Sequence, residues 1–272
     1  MVLKNFIVFE GIDGSGTSTQ IKKLVESNPN VFIATAEPTI NETGKFLRRM
    51  LCGEFSVDEK TASYLFAADR CEHIFGKDGV EDLIKNGKTV VSDRYFFSSL
   101  AYQSVSCGKD LPRLLNSPFP LPEYLFYFKI DPEISLKRVD SRNGQKEIYE
   151  KLDIQKKIAK LYDEVIEEYQ EKTNESGMKI IIIDATKSID EVFNIKLPLG
   201  FILRFIIISF FLKSDSQFNV ELSHSQKVWY SVIAIVVVCT PNVCYYIFIV
   251  EKIKRFKVKP YIVKISKECP IF

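Results

Sequence analysis

The sequence predicts an α/β fold in which helices cover both faces of a five-stranded parallel sheet, giving three layers. Apolar runs of strand length recur at residues 5 to 10, 31 to 36, 89 to 92, 124 to 130 and 179 to 184, with helical stretches between them. The runs are nearly continuous rather than alternating, which is typical of strands that are buried on both faces. A hydrophobic extension follows the last of these elements.

The first run leads into a glycine-rich turn that reads GIDGSGTST over residues 11 to 19. The phosphate-binding template G-x-x-x-x-G-K-[ST] fits Gly11, Gly16 and Ser18, but Thr17 stands at the lysine position. In such a P-loop, backbone N–H groups bind phosphate at a helix N-terminus and the serine hydroxyl binds Mg²⁺. We therefore predict a P-loop NTPase fold, with ATP bound by Gly11, Ile12, Asp13, Gly14, Ser15, Gly16, Thr17, Ser18 and Thr19. A glycine turn without a ligand is the alternative.

Two long helices are predicted where apolar residues recur every three or four positions. One covers about residues 58 to 85 and ends at the Asn86-Gly87 stop signal, and the other covers about 152 to 171. Phe66 and Arg70 lie one turn apart in the first helix, where they could stack on a base and bind its phosphate. The alternatives are core packing for Phe66 and a surface ion pair for Arg70.

Asp93 and Arg94 follow the third strand, at the carboxyl edge where open α/β sheets bind ligands. Because the glycine turn follows a strand of the same sheet, we expect both sequences to meet in one crevice. An acid at Asp93 can hold Mg²⁺ through water or bind a substrate hydroxyl, and Arg94 can make a bidentate phosphate contact. A salt bridge at the strand end is the alternative.

Composition limits the choice of partner and compartment. A net charge of +2 over 272 residues gives no indication of a nucleic-acid partner. The six cysteines form no C-x-x-C pair and no signal peptide precedes the first strand, so we expect a cytoplasmic protein. His73 and His224 are the only histidines, far apart in the chain, and are expected to be ordinary helix or surface residues.

Several further motifs follow the glycine turn in a fixed order. They are AEP at 36–38, GKFLRRML at 44–51, LFAADR at 65–70, DRYFFSSLAYQ at 93–103 and LKRVDSRNGQKEIYEK at 136–151. Together with FEGIDGSG at 9–16, this order resembles the thymidylate kinase family over residues 1 to about 195. The resemblance implies a homodimeric P-loop kinase that phosphorylates dTMP to dTDP in nucleotide biosynthesis, with ATP as co-substrate and Mg²⁺ as cofactor.

The resemblance also implies roles for individual residues. Asp13 would lie near the deoxyribose 3′-hydroxyl, and Phe66 would stack on thymine. Arg48, Arg70 and Arg94 would bind the monophosphate. Tyr102 would lie under the sugar and screen against a 2′-hydroxyl, while Ser99 and Gln103 would be polar groups of the same pocket.

The position of Gly14 bears on the charge that Thr17 lacks. Family members carry a basic residue either inside the P-loop, at the Gly14 position, or in a mobile lid, so Gly14 implies the lid type. The lid falls at residues 138 to 150, where Arg142 is the favoured catalytic cation over ATP. Arg138, Lys146 and Lys22 are the other candidates for the missing charge.

The chain is expected to divide into a kinase domain at 1–196 and an extension at 197–272 that has no counterpart in the family. The extension contains apolar segments at 199–212 and 228–250, and the second is long enough to cross a bilayer. A membrane hairpin through 199–250 is not favoured, because the first segment is short and contains Arg204. The other interpretation is an extension that is not selected as a domain.

Two functional alternatives to a dTMP kinase stay open. One is a kinase for another nucleoside monophosphate on the same fold. The other is a catalytically impaired nucleotide-binding protein, in which Thr17 marks lost turnover.

Overall fold

The computed structural model describes residues 1–141, 148–149 and 151–194, together with the backbone of three strands between 233 and 264. The chain divides into two units, Met1–Ile195 and Lys196–Phe272. Every described side chain lies in the first unit, so the candidate site is built within it.

A parallel sheet forms the centre of the first unit. Its strands are β1 Val2–Glu10, β2 Phe32–Ala36, β3 Thr89–Asp93, β4 Leu121–Lys129 and β5 Lys179–Asp184. They pair in the order β2-β3-β1-β4-β5, with β1 at the centre. The predicted five-stranded α/β sheet is therefore confirmed. The last five residues of β1 and nearly all of β4 are buried, which explains their continuous apolar sequence.

Helices cover the two faces of the sheet. They are α1 Thr17–Ser27, α2 Glu42–Leu51, α3 Glu59–Phe75, α4 Val80–Lys85, α5 Phe96–Tyr102, α6 Ser104–Cys107, α7 Asp110–Asn116, α8 Pro132–Asp140, α9 Leu152–Glu171, α10 Thr173–Ser176 and α11 Ile189–Phe193. The helix predicted over 152–171 is confirmed as α9.

The single helix predicted over 58–85 is wrong, because the chain breaks it into α3 and α4. Gly76 ends α3 in an extended conformation, with φ −66° and ψ 166°, and a Cβ there would lie 2.4 Å from the carbonyl oxygen of Glu72. Asp78 then adopts a left-handed conformation with φ 61°, which an α-helix does not contain. The Gly-Lys-Asp-Gly sequence at 76–79 is therefore a turn between two helices.

Strand register brings the functional segments to one edge of the sheet. Phe9 pairs with Asp93 between β1 and β3, and Glu10 pairs with Tyr127 between β1 and β4. Because the strands are parallel, their carboxyl ends lie side by side and the turns that follow them share one crevice. The glycine turn after β1 therefore faces the segment that begins α5.

The second unit contains the described strands β6 Ile233–Thr240, β7 Val243–Val250 and β8 Ile262–Lys264, which form an antiparallel sheet in the order β6-β7-β8. Within the apolar segment 228–250, the described residues form the paired strands β6 and β7, and Cys239 lies opposite Cys244 in their register. Within the described part of the chain, no helix combines the length and apolar character that a membrane span requires. Residues 199–212 lie outside the described residues.

Candidate active site

A cavity of about 400 Å³ lies at the carboxyl edge of the sheet. It is lined by the glycine turn and the segments around Glu37, Phe66, Arg94 and Tyr149. Most residues predicted for the site line this cavity: Ile12, Asp13, Gly14, Gly16, Thr17, Ser18, Thr19, Arg48, Phe66, Arg70, Asp93, Arg94, Ser99, Tyr102 and Gln103. Gly11 and Ser15 belong to the same turn behind its surface, whereas Arg142 and Lys146 lie outside the described residues.

The glycine turn has the backbone of a phosphate-binding loop. Gly14 and Gly16 adopt left-handed conformations with φ 83° and 94°, and α1 begins directly after Gly16. A Cβ on Gly14 would lie 2.4 Å from the carbonyl oxygen of Ser135, so a larger residue at this position requires the start of α8 to move. Thr17 is the first residue of α1 and is buried at the cavity wall. The helix N-terminus therefore faces the cavity, as anion binding requires.

Ser18 and Asp93 join the glycine turn to the end of β3. The Ser18 hydroxyl donates a hydrogen bond to Oδ2 of Asp93. A hydroxyl and a carboxylate oxygen at a phosphate-binding loop are donors of the kind that Mg²⁺ prefers. The residues present therefore fit Mg²⁺, and Ser18 and Asp93 are the side chains that would hold it.

Arg94 is the central cation of the cavity wall. Its backbone is left-handed, with φ 70°, and its N–H donates to the carbonyl oxygen of Phe9 at 2.9 Å. Its guanidinium donates to the carbonyl oxygen of Gly11 at 3.0 Å and to the Asp13 carboxylate at 2.5 Å. Burial by itself lowers the pKa of Arg94. The opposing effects of Tyr102, Asp13, Tyr162 and Asp93 are larger in sum, so the net pKa is well above its usual value. Arg94 thus forms its ion pair with Asp13 of the glycine turn, and not with Asp93 at the strand end as the alternative interpretation held.

Asp13 is held from two sides. Arg94 contacts Oδ1, and the Gln155 side chain on α9 donates to Oδ2 at 2.7 Å. The same Gln155 nitrogen donates to the carbonyl oxygen of Tyr149 at 3.1 Å. Gln155 is fully buried but was not predicted, because a glutamine in an amphipathic helix has no local signal of a contact 142 residues away.

Arg70 lies in the interior rather than on the surface. It is only 1% exposed, and its guanidinium donates to Glu37 at 2.6 Å, to Ser99 at 3.1 Å and to Asn116. Glu37 also accepts a contact from His73 Nδ1 at 2.9 Å. The alternative of a surface ion pair for Arg70 is therefore wrong, and His73 is a buried helix residue.

Three other predicted residues complete the wall. Phe66 is half-buried and packs on the apolar cluster of Leu47, Met50, Leu51 and Ala62 while its ring lines the cavity. Arg48 is exposed to the cavity and donates to the carbonyl oxygen of Pro38. The Tyr102 hydroxyl lies 3.3 Å from Arg94, and burial raises its pKa well above the usual range, so it stays neutral.

Glu10 lies behind this wall and was not predicted as a site residue. It ends β1, is fully buried, and its carboxylate accepts hydrogen bonds from Tyr95, Ser98 and Tyr162. Burial raises the pKa of Glu10 to about 7, although Ser98 and Arg94 oppose this shift. Sequence periodicity placed Glu10 only at the end of a strand.

Two of the candidate replacements for the P-loop lysine, Arg138 and Lys22, do not line the cavity. The guanidinium of Arg138 donates to the carbonyl oxygens of Ala185 and Thr186 at 2.9 and 3.3 Å. Lys22 is 76% exposed on α1 and faces Glu26 at 3.9 Å. The other two candidates, Arg142 and Lys146, lie outside the described residues, and their role stays a prediction.

Comparison with known proteins agrees with this arrangement. Residues 9–195 match the family model described as Thymidylate kinase. The chain belongs to the thymidylate kinase family. The similarity covers the unit that contains the sheet and the cavity, which explains why the motif order and the site geometry point to the same class of enzyme.

Individual family members are similar over nearly their full length. A probable thymidylate kinase of Methanocaldococcus jannaschii is 42% identical over 196 residues, which cover 71% of this chain and 94% of that protein. A thymidylate kinase of Leptospira interrogans is 39% identical over 167 residues, which cover 59% and 81%. The solved thymidylate kinase of Candida albicans is 27% identical, with a TM-score of 0.57 over 74% of this chain and 91% of that one.

Proposed function

We propose that this protein transfers the γ-phosphoryl group of ATP to dTMP, producing dTDP for nucleotide biosynthesis. The observation that carries this proposal is the position of Arg94. Its guanidinium lies against the glycine turn through Gly11 and also faces the cavity that Phe66 lines. A monophosphate bound by Arg94 would therefore meet the terminal phosphate of a nucleotide held by the loop.

The chemistry follows from positioning and charge. Phosphoryl transfer requires two phosphates in line, and the protein mainly neutralises the negative charge that spreads over the transferred group. Residues 11–19 would hold the ATP phosphates, Ser18 and Asp93 would hold Mg²⁺, and Arg94 with Arg48 would hold the acceptor phosphate. Held there, Mg²⁺ would supply positive charge that neutralises the ATP phosphates. Arg142 would supply the further positive charge that Thr17 lacks.

Polar side chains support a pyrimidine base in the part of the cavity that Phe66 lines. Arg70, Ser99 and Gln103 line the cavity together with Phe66. A base that hydrogen-bonds to such groups is favoured over a base that leaves them unpaired, which costs binding energy. This arrangement gives Arg70 a place at the base, because Glu37 already neutralises its charge.

Selective turnover is the direct test. The full chain with ATP and Mg²⁺ is expected to release ADP rapidly with dTMP, and at least about a hundredfold more slowly with dCMP, UMP or AMP at equal concentration. A coupled ADP assay measures all four rates. Binding of dTMP and ATP without turnover would instead identify the impaired nucleotide-binding protein, and preference for another monophosphate would identify a different kinase of this fold.

We also propose a homodimer in the cytoplasm, as the resemblance implies. One face of α3 carries exposed residues at intervals of four and three, namely Tyr64, Ala68, Cys71 and Phe75, with Tyr64 56% exposed and Phe75 48% exposed. Such a stripe can pack against a second copy. Light scattering after gel filtration is expected to give twice the chain mass, and Tyr64→Glu should convert the protein to monomers. A monomeric parent protein would contradict the dimer.

A further inference from the structure

Glu10 connects the end of β1 with the start of α5 and the middle of α9. One carboxylate oxygen accepts the backbone N–H groups of Tyr95 at 2.8 Å and Ser98 at 3.2 Å. The other accepts the hydroxyls of Ser98 at 2.7 Å and Tyr162 at 2.8 Å. Glu10 itself does not line the cavity, so it acts on the site only through its neighbours.

Those neighbours hold the guanidinium of Arg94. Its Nη1 lies 3.1 Å from the Ser98 oxygen and 3.4 Å from the Tyr162 oxygen. The two hydroxyl oxygens are 2.7 Å apart, so Glu10, Ser98 and Tyr162 form one connected group behind Arg94. The Asp13 carboxylate contacts the opposite part of the guanidinium.

We propose that Glu10 is a positioning residue that, as a carboxylate, orients Arg94 for the acceptor phosphate through the hydroxyls of Ser98 and Tyr162. This inference rests on the proposed function and assigns a role to a side chain outside the cavity. In this arrangement Arg94 supplies the charge that contacts the phosphate, and Glu10 fixes the orientation of the Arg94 guanidinium.

Hydrogen-bond direction explains why the carboxylate form is needed. A carboxylate only accepts, so both hydroxyl protons can turn toward Glu10 and leave their oxygen lone pairs for the N–H groups of Arg94. A protonated Glu10 donates one hydrogen bond itself. The hydroxyl that accepts this bond must turn its own proton away from Glu10, toward the other hydroxyl 2.7 Å away or toward the guanidinium, which offers only donors. Fewer hydroxyl lone pairs then face the N–H groups of Arg94, so the contact that orients Arg94 is weakened.

The surroundings make Glu10 the group that titrates in this cluster near neutral pH. It is faced by Arg94 from the end of β3, Tyr95 at the start of α5, Tyr162 of α9 and, at longer range, Tyr127 of β4. Burial raises the pKa of each of these tyrosines above its usual value, and Arg94 stays charged. Burial raises the pKa of Glu10 to about 7, so the orienting carboxylate forms above that pH and is lost below it.

Glu10→Gln tests the role, because it keeps the shape of the side chain and removes the charge. At pH 8 we expect its KM for dTMP to rise about tenfold, whereas the KM for ATP changes by less than about twofold. The parent protein should lose kcat/KM for dTMP as pH falls through about 7, and the variant should lack this inflection. A structural role alone would lower stability without removing the inflection.

Glu123→Gln is the matched control. Glu123 is also a buried glutamate in a strand of the same sheet. It lies near the N-terminal end of β4, away from the carboxyl edge that carries the cavity, and it accepts the N–H of Asn5 at 2.8 Å. This variant should keep the parent KM for dTMP and the parent pH profile. An unchanged KM and pH profile in Glu10→Gln as well would overturn the proposal.

Tyr162→Phe covers the case in which Glu10→Gln does not fold. It removes one of the two relay hydroxyls and keeps the ring, and we expect the KM for dTMP to rise about threefold or more with kcat nearly constant. An unchanged KM in this variant would count against the relay. A parent protein that does not phosphorylate dTMP would refute the proposed function itself, a result distinct from either variant.

Discussion

Replacing Arg94 by alanine is expected to lower kcat/KM for dTMP by about a thousandfold, which corresponds to about 4 kcal/mol, because the proposed guanidinium contact to the acceptor phosphate is lost. Arg94 contacts the glycine turn, the Asp13 carboxylate and the Ser98 hydroxyl at once. The substitution therefore removes the proposed phosphate contact and leaves the half-buried Asp13 carboxylate with Gln155 but without its cationic partner. Steady-state kinetics with varied dTMP measures the loss, and most of it should appear in the KM for dTMP.

Arg94→Lys separates charge from geometry. A lysine keeps the positive charge but cannot reach Gly11, Asp13 and a phosphate with one planar group, so we expect an intermediate loss of about a hundredfold. Arg113→Ala is the control, since Arg113 pairs with Glu168 at 2.6 Å and does not line the cavity. It should leave both Michaelis constants nearly unchanged. Comparable losses in Arg113→Ala and Arg94→Ala would mean that the effect is on folding.

The pH dependence of stability provides an independent measurement on Glu10. Its pKa in the folded protein, about 7, is above its ordinary value of 4.5, so the folded state binds more protons than the unfolded state between these pH values. Its contribution to the free energy of unfolding therefore falls as pH rises from about 4.5 to 7, by about 3 kcal/mol. Urea unfolding at several pH values measures the free energy of unfolding of the parent protein and of Glu10→Gln. Between pH 4.5 and 7 this free energy should fall more steeply with pH in the parent protein, and parallel curves would contradict the prediction.

The sheet and the edge that carries the cavity could be predicted because their signals are local. A buried parallel strand is apolar on both faces, so β1 and β4 appear as continuous runs, and a phosphate-binding turn requires glycines at fixed spacing. Even the break between α3 and α4 has a local cause at Gly76. It was missed because the apolar residues on both sides continue a helical pattern across the turn.

The partners of polar side chains could not be predicted, because they come from segments distant in sequence. Arg70 and Phe66 share a helix face, which the spacing indicates, but no local signal shows that Glu37 lies opposite Arg70 and removes it from the surface. Gln155 and Asp13 meet across 142 positions, and Glu10 meets Tyr162 across 152. Sequence motifs predicted most of the residues that line the cavity, whereas the structure was needed to identify the side chains that hold them.

Arg142→Ala is expected to lower kcat by about a hundredfold to a thousandfold, because the variant lacks the cation proposed to act on the transferred phosphoryl group. The Kd for dTMP should stay nearly unchanged. Two of the other candidate cations, Arg138 and Lys22, do not line the cavity. Arg138 is held by two carbonyl oxygens, and Lys22 is exposed on α1 beside Glu26. Single-turnover kinetics and dTMP titration measure the two quantities separately.

Thr17→Lys in the Arg142→Ala background tests whether charge can return to the loop. Thr17 is the first residue of α1 and lines the cavity, so a lysine there can direct its ammonium group toward bound phosphates. We expect it to restore about tenfold or more of the lost kcat, and to raise or leave unchanged the rate of the parent protein. Arg138→Ala is the control and should reduce stability more than kcat. If Arg142→Ala leaves kcat unchanged, the positive charge does not reside at Arg142, and Lys146→Ala becomes the informative variant. If Arg142→Ala lowers kcat and Thr17→Lys does not restore it, the two positions do not supply equivalent charge.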